Sequence, residues 1–419
     1  MQANFIRQEH PTFYAEYSGR NSFLPAGEHA TSRIETLYTG FQITNRLEIL
    51  ADVESAGGAG LSNALGIAGF TNVDVVRNPT LGEAPYISRV MLHYTIPLSK
   101  ETTEATRNPL ALASTVPVRR LEFRLGKMST VDFFDLNAIG SDSHLQFMNW
   151  AIVNNGAYDY AADTRGYTYG LVAEYYDKAW AARFGEMLMP TVANGITLDW
   201  DIARARGENF EFEYHTAWLA KRASVVRALA FVNHANMGSY QQAIDSYLSG
   251  KDAVPDITLS RKQGRLKYGF GLNVEQELSP LWRAFGRLGW NDGAKESFAY
   301  TEIDQTASMG SDFRGRPWHR SQDKVGAAFV VNGISADHRR YLALGGLGFI
   351  LGDGGLTYGL EKISETYYTA HIWRGIYFAT DYQHVTNPGY NEVRGPVDVV
   401  SFRIHVEDAI PFEKFGRRN

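Results

Sequence analysis

The sequence predicts an all-β fold: a 16-stranded antiparallel transmembrane β-barrel with long extracellular loops and short periplasmic turns. Three observations predict it. Segments of about ten residues alternate between apolar and polar or glycine side chains, as strands with two chemically different faces do. Aromatic residues stand at the ends of the apolar rows, where a membrane strand places its interfacial girdles. The connections alternate between tiny and long, as they do in outer-membrane barrels.

The stretch 265–293 carries the pattern most fully. Leu266, Tyr268, Phe270, Leu272 and Val274 form one row, against Lys267, Gly269, Gly271, Asn273 and Glu275. After a turn at Ser279 and Pro280 the pattern restarts. Trp282, Ala284, Gly286, Leu288 and Trp290 oppose Arg283, Phe285, Arg287 and Gly289. Two such segments joined by a short turn make an antiparallel hairpin. If the apolar row meets lipid, the charged row borders a wet lumen.

In chain order, period-two segments lie at 3–10, 31–43, 46–55, 86–96, 119–127, 166–177, 179–188, 208–219, 224–233, 265–277, 281–291, 297–309, 323–333, 357–372, 375–385 and 397–407. Other clear rows are Leu121, Phe123 and Leu125 against Glu122 and Arg124, and Phe210, Phe212 and Tyr214 against Glu211, Glu213 and His215. Connections at 44–45, 177–178, 220–223, 278–280 and 373–374 are tiny, whereas 11–30, 56–85, 128–165, 189–207, 234–264 and 334–356 are long. The segments 97–118 and 310–322 fall on the short-turn side yet exceed a tight turn. The first contains Asn108-Pro109 and is expected to fold over the periplasmic mouth. A short surface helix is expected at 336–344. Residues 1–407 read as one barrel domain and 408–419 as a C-terminal tail.

Composition excludes several classes. Forty Gly, 23 Tyr, 23 Phe and 8 Trp beside no Cys favour turn-rich β structure, without disulfides or thiolate metal sites. A net charge of −5 provides no basic field for nucleic acid. No run of 18 apolar residues exists, which excludes a transmembrane helix but leaves barrel strands open. The chain opens MQANF without an apolar signal peptide, so an export signal is expected to have been removed. The sequence contains no nucleophile elbow, P-loop or H-E-x-x-H element. No enzyme activity, metal or cofactor is expected.

The connection 128–165 carries D-x-F-D-x-N (Asp132, Phe134, Asp135, Asn137), then FMNW at 147–150 and GAYDYAAD at 156–163. With LPAGEH at 24–29, LSNALGIAGF at 61–70, FVNHANMGSY at 231–240, AYTEID at 299–304, GLGFILGDG at 346–354 and DYQHVTNPGYNEVRGPV at 381–397, it resembles the OprB-type carbohydrate-selective porins, collinearly over nearly the whole chain. The resemblance implies a Gram-negative outer-membrane channel that passes mono- and oligosaccharides by diffusion. It also implies inward-folded loops with arginine and carboxylate side chains at a constriction. Members usually end on an aromatic residue closing the last strand, but this chain runs on past Glu407.

A sugar offers many hydroxyls and weakly apolar C–H faces, so a selective pore needs bidentate donors, acceptors and aromatic surfaces. Alternation places Arg89, His93, Glu122, Arg124, Arg183, Glu213, His215, Arg227, Lys267, Glu275, Arg283, Arg287, Asp381, Gln383, Arg403 and His405 on the inner face as pore-lining candidates. Taken singly, such residues also serve as cross-strand ion pairs. In the inward loop, Asp132, Asp135, Asn149, Trp150, Tyr158 and Asp159 are the candidates for sugar contact. The expected surroundings are sugars as permeating solutes, and outer-membrane lipid and lipopolysaccharide around the wall. Oligomeric state stays open between monomer and homotrimer, and periplasmic partners stay open too. The rival readings are a barrel exporting exopolysaccharide through periplasmic partners docked at 97–118, and a barrel enzyme acting on glycans or lipids.

Overall fold

The alternating rows pair as hairpins in a computed structural model that describes residues 1–75, 81–299 and 301–408. The strands are β1 (Gln2–His10), β2 (Glu28–Thr44), β3 (Leu47–Gly58), β4 (Tyr86–Pro97), β5 (Thr102–Glu104), β6 (Thr115–Pro117), β7 (Arg120–Met128), β8 (Thr168–Tyr176) and β9 (Trp180–Leu188). They continue as β10 (Arg206–Thr216), β11 (Ser224–Met237), β12 (Lys262–Ser279), β13 (Trp282–Asn291), β14 (Gln305–Arg314), β15 (Lys324–Gly333), β16 (Glu361–Trp373), β17 (Ile376–Thr386) and β18 (Val397–Glu407). All but β5 and β6, which pair with each other, join antiparallel in one sheet, and β1 meets β18 to close a 16-stranded barrel. Closure satisfies every strand edge, as a wall in hydrocarbon requires. Residues 409–419 of the expected tail lie outside the described residues.

Which way the rows point is decided by exposure. On β12, Phe270 and Leu272 are 55% and 39% exposed, while Lys267 and Glu275 are 0% and 9%. Trp282 and Trp290, at opposite ends of β13, also face outward. The apolar rows therefore clothe the outside. Leu272 faces Leu288 and Phe270 faces Trp290 across the hairpin, so the register aligns like with like.

One expected strand moves. The pattern placed it at 297–309, whereas β14 runs from Gln305 to Arg314. Its outward row of Ala307, Met309 and Ser311 is weakly apolar. The stronger signal just before it, Phe298 and Ile303, belongs to a connection that is buried instead.

The interior is not wet throughout. Long connections at one end fold inward and build an apolar core that includes Phe70, Phe134, Phe147, Ile152, Tyr158, Phe231 and Ile303. Two helices cover this end, α1 (Tyr240–Leu248) and α2 (Ala336–Ala343), the second as expected for 336–344. Between them, His338 stacks on Tyr240 at 4.3 Å and lies 3.1 Å from Asp304 and 3.6 Å from Glu302.

Burial alone would lower the His338 pKa, but the two carboxylates outweigh it and raise it to about 9. A raised value means the charge stabilises this cap fully below the unfolded value of 6.5 and loses that contribution as pH rises through about 9. Amide exchange across 336–343, corrected for intrinsic rate, is expected to accelerate between about pH 7 and about pH 10. His338→Gln should remove that dependence. Equal protection at both pH values would show that the imidazolium does not hold the cap.

Candidate functional site

Inward charges on neighbouring strands pair into one ladder. Glu48 and Glu122 lie 3.0 and 3.1 Å from the two nitrogens of His93. Glu122 pairs with Arg124 at 2.7 Å, and Arg124 with Glu174. Arg183 follows, 3.0 Å from each of Glu174, Glu211 and Glu213. Glu213 reaches Arg227 at 2.7 Å and His215 at 2.6 Å, and Arg227 reaches Glu275. Arg283 and Asp312 form a separate pair on β13 and β14. Each charge stands off the lipid and finds its opposite on the adjacent strand or two residues along its own, which removes the cost of burying it alone.

The connection 129–167 enters the barrel and brings backbone groups that must find partners away from water. Wall charges supply them. The Glu365 carboxylate accepts from the Met148 and Asn149 amides at 2.5 and 3.1 Å. Arg403 donates to the Ser143 and Gln146 carbonyls at 2.7 and 3.0 Å. Arg287 donates to the Ile152 and Asp135 carbonyls at 2.6 and 3.0 Å and sits 3.2 Å from the Asp135 carboxylate. Asp135, at φ 58°, accepts from the Asn155 amide at 2.7 Å, and Glu211 accepts from the Asp135 amide at 2.7 Å. Asp159 takes Lys267 at 3.0 Å and the Ala299 amide at 2.7 Å.

Beside this bolted loop, against β2–β4 and β7, two cavities of about 430 and 420 Å³ remain. The first lies toward the long-loop end, with Glu54, Tyr86, Trp150, Arg165 and Tyr167 on its walls. The Arg165 guanidinium lies 3.9 Å from the centre of the Tyr86 ring, and Tyr167 donates to Glu54 at 2.8 Å. The second lies toward the short turns, bordered by Arg124, Glu174, Tyr176 and Arg183. Both are lined by Tyr38, Arg89, Leu110, Asp132 and Leu136, so the two cavities adjoin at a neck formed by these five. There Arg89 grips Asp132 through two bonds of 2.7 Å and touches Asp52 at 3.3 Å.

The neck thus combines two kinds of surface: the Arg89–Asp132 ion pair, and the ring and hydrocarbon of Tyr38, Leu110 and Leu136. Bidentate polar groups together with an apolar surface are the pairing that a pyranose edge and face require.

The sequence-predicted residues divide by this geometry. Arg89, Arg124 and Arg183 border the cavities, as do Asp132 and Trp150 of the loop. His93, Glu122, Glu213, Arg227 and Glu275 stand inward but are occupied within the ladder, with His215 exposed at its edge. Lys267, Arg287 and Arg403 are buried under the loop they hold. His405 stacks on the loop's His144 at 5.2 Å, and Asp381 is bonded by Gln383 at 3.3 Å.

Four loop residues expected to touch sugar are buried and bonded within the barrel. Asp135 and Asp159 bind as described above. Asn149 caps a helical turn and donates to the Gly69 carbonyl at 2.9 Å, and Tyr158 donates to Asn209 at 2.6 Å. Their polar atoms are taken up in fixing the loop.

Tyr38, Tyr86, Leu110, Leu136 and Tyr167 were missed. A signal existed for Tyr38, which falls on the inner row of β2 with Thr36. None existed for the others, which reach the passage through loop folding or from a strand end.

The carbohydrate-selective porin, OprB family model matches residues 28–407. No curated protein matches the sequence. Among solved structures, the chain is similar to Pseudomonas putida OprB at high pH, with 12% identity over 97% of this chain and 93% of that one and a TM-score of 0.71. The low-pH structure of Pseudomonas putida OprB aligns with 8% identity over 97% and 91%, at a TM-score of 0.50. At these identities the likeness concerns the fold.

Proposed function

The chain belongs to the carbohydrate-selective porin, OprB family, and from that premise we propose that sugars cross the two joined cavities and are selected where Arg89 and Asp132 stand together with Tyr38 and Leu110. The protein is an outer-membrane channel for carbohydrate diffusion in a Gram-negative cell. The observation that carries the selection site is the neck itself, a bidentate ion pair and apolar side chains together where the two cavities meet. Arg124 and Arg183 below it and Trp150 above it border the path a solute would take. The long loops face the exterior and the short turns the periplasm, by analogy with barrels of this kind. Residues 1–407 act as one barrel unit.

A channel rather than an enzyme is the reading that family and fold support. The neighbouring carboxyl groups of Glu365 and Asp381 stand closer together than the roughly 5–9 Å that a glycosidase pair spans. The Met148 and Asn149 amides seat on Glu365, which supports a structural role for the pair. The segment 98–119 turns its tip into the barrel mouth, which supports a channel element over a docking arm for export partners.

Planar-bilayer recording tests this reading. Stepwise conductance is expected, reduced in a saturable way by a monosaccharide. A polyethylene glycol of equal hydrodynamic size should give a weaker, unsaturable reduction. Equal effects of sugar and polymer would remove the selection site, and absence of steps would remove the channel.

A further inference from the structure

The neck is built from both ends of the barrel. The connection 98–119 leaves β4, forms the small hairpin β5–β6, and turns back at 108–111 before entering β7. Its tip is self-braced: the Asn108 amide donates to Ala111 at 2.9 Å, and the Asn108 carboxamide oxygen accepts from the Leu110 amide at 2.8 Å. The tip is also fastened to the wall. The Leu112 amide donates to Glu48 at 3.0 Å, and Glu48 is held in turn by His93 at 3.0 Å. At Gly40 an added Cβ would lie 2.9 Å from Leu112, so glycine leaves the room in which the tip seats. A segment braced in this way holds Leu110 at the boundary of both cavities, in the ring that also contains Arg89 and Asp132.

We propose that Leu110, carried by this short-turn segment, is the second jaw of the selectivity filter. It sets the aperture and offers the apolar face against which the C–H side of a sugar lies. The inference deepens the sugar-selective reading above and rests on it. One jaw, Asp132 with Leu136, arrives on the loop 129–167 from one end. The other arrives from the opposite end, so aperture is adjustable from the short-turn side without disturbing the bolted loop.

Two substitutions separate size from surface. Leu110→Ala enlarges the opening, and single-channel conductance is expected to rise about 1.5-fold, with monosaccharide block several-fold weaker. Leu110→Asn conserves size and removes the apolar plate, so sugar block should weaken with a smaller change in conductance than Leu110→Ala gives. Heat-modifiable migration of each variant checks that the barrel is closed. Parent-like conductance and sugar block in both closed variants would overturn the second jaw while leaving the neck intact. A parent channel that sugars do not block would overturn the underlying reading and this one together.

Discussion

Replacing Arg89 with alanine is expected to weaken sugar block at least tenfold and to make the channel prefer cations. Two observations motivate this. The guanidinium lines both cavities, and a sugar hydroxyl bonded to a charged group contributes about 1.5–3 kcal/mol, so losing one such bond costs a factor of ten or more. Its removal also strips the partner from Asp132, which lines both cavities, and from Asp52 buried behind it. Uncompensated carboxylate charge beside a pore favours cations. The reversal potential across a salt gradient measures the second effect, and sugar titration of the current measures the first. Arg89→Lys separates them: charge survives, bidentate geometry does not. It should hold ion preference near the parent while sugar block weakens. An Arg89→Ala channel with the parent's reversal potential and sugar block would exclude this residue from the filter.

Arg287→Met is expected to loosen the loop 129–167 and to destabilise the barrel interior by about 3–5 kcal/mol, the usual cost of leaving one partner of a buried ion pair alone. Arg287 is 1% exposed and joins the wall to the carbonyls of Ile152 and Asp135 and to the Asp135 carboxylate. Without it, the buried Asp135 carboxylate loses its cationic partner and the Ile152 carbonyl loses its donor, while the Asp135 carbonyl keeps only Asn273 at 3.2 Å. Open-channel current should become noisy as the loop moves, and the denaturation midpoint should fall. Adding Asp135→Asn removes the stranded charge and tolerates the left-handed φ, so the double variant should recover part of the loss. A quiet channel with the parent midpoint in Arg287→Met would mean the loop is held by other contacts.

How far the molecule was legible in the sequence depends on the range of the interactions. The rows of β12, β13 and β18 were readable because each states locally which face meets lipid. The expected strand at 297–309 was misplaced because a buried connection, Phe298 to Ile303, imitated the pattern better than the small-residue row of β14 did. The inner face of Lys267, Arg287 and Arg403 was readable too, but not what covers it. Lys267 meets Asp159 across 108 positions, and Arg403 meets Ser143 across 260. Nothing local to either partner announces such a meeting.

The sequence by itself determined the barrel and the side of its wall on which charge stands. A pleated strand exposes alternate side chains to opposite faces, and ionised groups are too costly to leave in hydrocarbon. Only the tertiary structure decided which inward charges face solute and which bolt a loop. Those two fates differ in what the long connections place over each charge once the barrel has closed, and that depends on chain segments far removed in sequence.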